Sequence, residues 1–154
     1  MVLKELVESN NFKAFAKKVE ILSGVLSILG VILILIKVEF SQVKTIFMVG
    51  FSSLSLIYAF LSYTKFNSEE KIAQYFFKIY YWGLAITALW VGFTLLHLPT
   101  SILMVPIAAI LILASLFLGI KYKTEEHTDQ INFIYFARLI IAIVLLVGVF
   151  LVRL

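Results

Sequence analysis

Five runs of about twenty apolar residues, nearly free of charge, leave this chain few folds to choose from. The runs are Val19–Ile36, Thr45–Thr64, Ile79–Leu98, Ser101–Ile120 and Ile131–Val152, and the only charges inside them are Glu20 and Arg138. A helix of about 20 residues crosses the roughly 30 Å hydrocarbon core of a bilayer. In that phase no water pairs with a bare backbone, so each run must close its own hydrogen bonds as a helix. The connections are short, and the third is little more than His97 to Ser101, so consecutive spans are expected to be antiparallel neighbours. The chain reads as an all-α membrane protein, a bundle of five transmembrane helices in a single domain over residues 1–154.

Composition agrees with the pattern. Hydrophobic residues make up 62% and charged residues 14%, against about 45–50% and 25% in soluble domains. A mean hydropathy of +1.06 excludes an ordinary soluble enzyme, a disordered chain and a nucleic-acid binder, despite a pI near 9.3. The first apolar run has 18 residues, longer than the 7–15 of a secretory h-region. It is therefore expected to stay as a span.

The basic residues set the expected orientation. Lys4, Lys13, Lys17, Lys18, Lys65, Lys71, Lys78, Lys121 and Lys123 fall on one side of a five-span chain, joined by Arg138 near the start of the last span. The opposite side has Lys37, Lys44 and Arg153. Because cytoplasmic segments carry the excess of Lys and Arg, the N-terminus is predicted in the cytoplasm and the C-terminus outside. The expected location is the cytoplasmic (plasma) membrane, or cell inner membrane, crossed several times.

Two segments on that side resemble each other. Lys65-Phe66-Asn67-Ser68-Glu69-Glu70 matches Lys121-Tyr122-Lys123-Thr124-Glu125-Glu126, and the match extends through Gln74 with Gln130 and Phe77 with Phe133, all at an offset of 56. Ser68 and Thr124 read as N-caps, followed by acids that suit the positive end of a helix dipole. A second likeness joins Asn11-Phe12 and Phe15-Ala16-Lys17 to Asn132-Phe133 and Phe136-Ala137-Arg138. The pattern fits a parallel hairpin repeat, spans 2–3 duplicated as spans 4–5. It equally fits the aromatic and cationic residues that any helix places at the headgroup level.

Polar residues mark the faces expected to point inward. Span three carries Tyr80, Gly83, Thr87, Trp90, Thr94 and His97 at alternating spacings of 3 and 4, the seam of a left-handed bundle. Span one has Glu20, Ser23, Ser27 and Gly30, and span two has Thr45, Met48, Ser52, Ser55, Ala59 and Ser62. These faces read either as packing seams or as the lining of a polar cavity. The corresponding stripe of span five, Phe136, Leu139, Ile143, Leu146, Phe150 and Arg153, is almost wholly apolar, so spans four and five are expected to face lipid or to act as a scaffold, with Leu146 as a lipid-facing site. Pro106 predicts a bend in span four.

Glu20 and Arg138 begin parallel spans at matched depth and form a candidate intramembrane ion pair; the alternative is that each side chain snorkels alone to the interface.

Missing chemistry bounds the function. The chain has no Cys and two His, His97 and His127, at opposite ends of the expected topology. Disulfides, Fe–S clusters, bis-His haem and His-based zinc sites are excluded within one chain. No H-E-x-x-H, G-x-S-x-G or phosphate-binding loop occurs. The expectation is a non-catalytic protein with no cofactor, no metal and no catalytic residue. It would act as an accessory or assembly subunit, or as a membrane-embedded binding module, with the bilayer and either its own copies or a membrane complex as partners. The alternative is a small permease or channel lined by the stripe of span three.

Overall fold

The structure is a computed structural model that describes residues 10–36, 41–63, 71–96, 103–124 and 133–153. It consists of helices α1 (Asn10–Leu35), α2 (Ser41–Leu61), α3 (Lys71–Leu95), α4 (Met104–Thr124) and α5 (Phe133–Arg153), and no strand occurs among the described residues. Among them α2, α3, α4 and α5 are long and apolar enough to cross a membrane. The remaining helix, α1, is 26 residues long.

The bundle is built around α3, which packs against α2, α4 and α5, while α1 packs along α2. Small residues let the neighbours of α3 approach. A Cβ on Gly92 would stand 2.7 Å from Phe51 Cβ on α2, and one on Gly83 would stand 3.4 Å from Ile112 on α4. Large residues fill the remaining space: Phe47, Phe76, Phe77, Tyr80, Trp90 and Leu139 are fully enclosed. The α1–α2 crossing uses the same device. A Cβ on Gly30 would meet Phe47 at 2.7 Å, and one on Gly50 would meet the Ser27 backbone nitrogen at 2.9 Å.

The outer faces are apolar. On α4, Ile107, Ile110, Leu113 and Phe117 recur at helical spacing and are exposed, while Ala108, Ile112 and Ser115 turn toward the core. On α1, Ile21, Leu22, Val25, Ile28, Leu29 and Ile32 are exposed. Exposed Leu and Ile in such numbers are stable only against lipid or another apolar surface.

Four expectations need correction. The stripe of α5 does not face lipid: Leu146 is only 7% exposed and Leu139 is fully buried, because α5 fills the angle between α3 and α4. The inward face of α2 is rotated from the serine stripe. Met48 is 46% exposed and Thr45 is exposed, while Val43, Phe47, Phe51 and Ile57 are buried. Apolar bulk and Gly50, rather than hydroxyls, decide that face. Pro106 lies in the first turn of α4, where the N–H groups have no intrahelical acceptor, so it costs no hydrogen bond and needs no bend. Thr124 is the last residue of α4 and so does not cap the start of α5. Ser68 lies outside the described residues.

Candidate functional site

One end of the bundle gathers the polar chemistry of the chain. Glu20 stands ten residues into α1, and Arg138 stands five residues into α5. The Arg138 Nη2 lies 2.8 Å from Glu20 Oε1, and the Tyr58 hydroxyl of α2 donates to the same oxygen at 3.0 Å. Three helices thus meet at one carboxylate. A charge-assisted hydrogen bond from Arg is among the strong ones, and a phenol donor adds a second partner without adding charge. The side chains are unequally covered: Glu20 is 14% exposed and Arg138 is 31% exposed.

Tyrosines pack around this pair. The Tyr58 and Tyr81 rings are 6.1 Å apart, Tyr81 and Tyr80 4.9 Å, and Tyr80 and Tyr135 5.3 Å. The Tyr80 hydroxyl lies beside the Arg138 guanidinium without reaching good hydrogen-bond geometry. Tyr80 meets Tyr81 and Tyr135 edge-to-face, whereas Tyr58 and Tyr81 are tilted by 30°; such ring contacts add to simple area burial. They hold α2, α3 and α5 in register around the charges.

From the ion pair a cleft runs along the bundle between α1 and α5, with a volume of about 350 Å³, within the roughly 300–1,000 Å³ of ligand pockets. The two helices meet at Glu20 and Arg138 but do not pack along their length. Its floor is Phe51 and Leu54 of α2 with Leu84, Ala88 and Val91 of α3. Its rims are Ile28 and Ile32 on α1 and Ile141 and Leu145 on α5, all exposed, so the cleft opens sideways. Arg138 and Tyr58 close the end nearest the charges.

The sequence-derived residues distribute unevenly around this cleft. Ser27 and Thr87 line it, and both are buried. Ser23 is buried on the same face of α1. Tyr80 and Trp90 are 0% exposed and do not line the cleft. Thr94 is half-buried, as are Ser52 and Ser55. Ser52 borders a narrow gap against Gly92 and Phe93 instead. His97 lies outside the described residues.

The hydroxyls of Ser62, Thr87 and Ser115 bond within their own segments and not across helices. Thr87 Oγ1 donates to the Gly83 carbonyl at 2.8 Å, Ser115 Oγ to Leu111 at 2.7 Å and Ser62 Oγ to Ala59 at 2.6 Å, each on its own chain segment. Ser27 Oγ, Trp90 Nε1 and Thr94 Oγ1 are buried with no protein partner. Small volume, not bonding between helices, is what Ser27, Thr87 and Ser115 contribute to packing. Among the described residues no cluster of His, Asp or Glu could hold a metal ion.

Sequence reasoning missed Tyr58, Tyr81 and Tyr135. They were visible only as aromatics at the headgroup level, and which of them turn inward depends on helix rotation. The cavity considered among the polar faces of spans one to three corresponds in part to the cleft, but its apolar walls and its α5 side were missed, because such residues are indistinguishable in sequence from lipid-facing ones. No family model matches the chain, and neither a curated protein nor a solved structure does.

Proposed function

We propose that this chain is a non-catalytic, membrane-embedded binding module that holds an apolar or amphipathic molecule in the cleft between α1 and α5. The observation that carries the proposal is the cleft itself: about 350 Å³, apolar along its walls, open toward the bilayer and closed at one end by Arg138. A packed seam would leave no such volume, since protein interiors are filled to crystal-like density. The permease alternative draws less support, because Tyr80 and Trp90, the bulkiest members of its supposed lining, are enclosed by other side chains. An accessory role in a larger membrane assembly, or self-association, is compatible with binding.

In this reading the chain crosses the cytoplasmic membrane five times, N-terminus inside, and the ion pair lies in the cytoplasmic leaflet. The asymmetry of Lys and Arg supports that orientation. The offset of 56 supports a duplicated hairpin.

The test is purification in a mild detergent followed by native mass spectrometry. The wild type should retain a small molecule, and Ala142→Phe, which fills the cleft, should lose it while keeping its helical content. Wild-type protein that carries no small molecule and instead holds a stoichiometric protein partner would replace binding with an accessory function.

A further inference from the structure

We propose that the occupant of the cleft is an acyl chain of an anionic lipid, drawn from the leaflet that holds Glu20 and Arg138, with the acidic headgroup against the Arg138 guanidinium. This rests on the binding-module reading and adds the chemistry of the ligand.

The charge that the cleft presents is the cation. Arg138 lines its closed end and Glu20 does not. The carboxylate is turned away, 14% exposed and held by both Tyr58 and Arg138, whereas the guanidinium is 31% exposed. Only one of its nitrogens, Nη2, is engaged by Glu20, and a guanidinium carries five N–H donors in a planar fork suited to phosphate. Lys17 and Lys18, exposed on α1 within a turn of Glu20, add positive charge at the same level. Basic side chains near an anionic leaflet attract its lipids.

The remaining walls suit a hydrocarbon chain. From Arg138 to Leu145 the cleft follows α5 for seven residues, about 10 Å at 1.5 Å per residue. One leaflet of a 30 Å core is about 15 Å deep, so a chain anchored at Arg138 lies along most of a leaflet. The exposed rims Ile28 and Ile141 let it enter sideways without leaving the membrane.

The experiment uses the full chain reconstituted in phosphatidylcholine vesicles. They are doped either with phosphatidylglycerol or with phosphatidylcholine that bears a photoreactive group on the acyl chain. Crosslinked residues are read by mass spectrometry. The floor residues Leu84 and Ala88 should be labelled by the phosphatidylglycerol probe about fivefold more than by the phosphatidylcholine probe, the preference one basic contact supplies. Arg138→Gln should bring the ratio close to one. Glu20→Gln, which keeps the cation and frees it, should hold or raise the ratio; a merely structural disturbance would move both variants alike. Should the single Arg138 variant fail to fold, the double variant Glu20→Gln/Arg138→Gln, with no unpaired charge, should lose the preference in its place. Equal labelling of the floor by both probes overturns the headgroup assignment and leaves the binding module intact. Labelling confined to the rims with both probes overturns both.

Discussion

A carboxylate and a guanidinium within an apolar bundle are each costly alone, and their cost is what makes Glu20 and Arg138 interdependent. A lone charge at the centre of a membrane helix costs about 2.5–3.5 kcal/mol on insertion scales and less near the interface. The two groups stand 2.8 Å apart and only partly covered, so Glu20→Gln and Arg138→Gln should each destabilise the fold by about 2 kcal/mol. The double variant should lose less than the sum by about 1 kcal/mol or more, since neither charge is then stranded. Unfolding in detergent, followed by circular dichroism over the four proteins of the cycle, measures that coupling. Strict additivity would mean that the side chains act separately. Tyr58→Phe removes one donor from a charged acceptor and should cost about 1 kcal/mol in the same assay. The pairing of two charged helix ends was legible in sequence because Glu20 and Arg138 are the only charges inside the apolar runs. The part played by Tyr58 was not, because nothing in sequence distinguishes it from Tyr63, which is exposed.

Among the elements, glycine positions separate the crossings that need close approach from those that do not. Gly50→Ala would put a methyl group 2.9 Å from the Ser27 backbone nitrogen and 2.8 Å from its Oγ. Helix α1 must then move off α2, an overpacking that costs about 1–3 kcal/mol. Gly92→Ala should behave similarly, with its Cβ 2.7 Å from Phe51 Cβ. Gly148→Ala has nothing within 4 Å, so it should be neutral or stabilising by up to about 1 kcal/mol. Thermal unfolding in one detergent ranks all three, and equal effects would contradict the close crossings. Pro106→Ala belongs with the neutral group, since that proline lies in the first turn of α4. The helices themselves were legible from their lengths, because lipid permits little else. The rotations of α1 and α3 were legible too, since Ser23, Ser27, Tyr80, Thr87 and Trp90 of their stripes are all buried; those of α2 and α5 were not. The serine stripe of α2 suggested one inward face, yet Phe47 and Phe51 occupy it instead. In a membrane an inward Leu and a lipid-facing Leu are equally apolar, so Leu146 gave no sign of its burial.

For the whole molecule the decisive quantity is how many times the chain crosses the membrane, because that number sets which leaflet holds the cleft. Four helices, α2 to α5, meet the length and apolarity of a span among the described residues, so the count turns on α1. Two features argue that α1 crosses as well. It packs along α2 from Ser27 against Gly50 to Gly30 against Phe47, deep within the run that α2 buries. Its opposite face is exposed and apolar from Ile21 to Ile32; a helix lying at the interface would instead carry a strongly polar face. On the proposed five crossings the two chain ends lie on opposite sides, and the excess of ten Lys and Arg over three supports a cytoplasmic N-terminal end. A reporter fused after Leu154 that is active only outside the cytoplasm should therefore be active. A fluorescent protein that matures only inside should stay dark at the same position. The reverse pair of signals would mean either that α1 does not cross or that the bundle is inverted, and in both cases Arg138 with its cleft would belong to the outer leaflet.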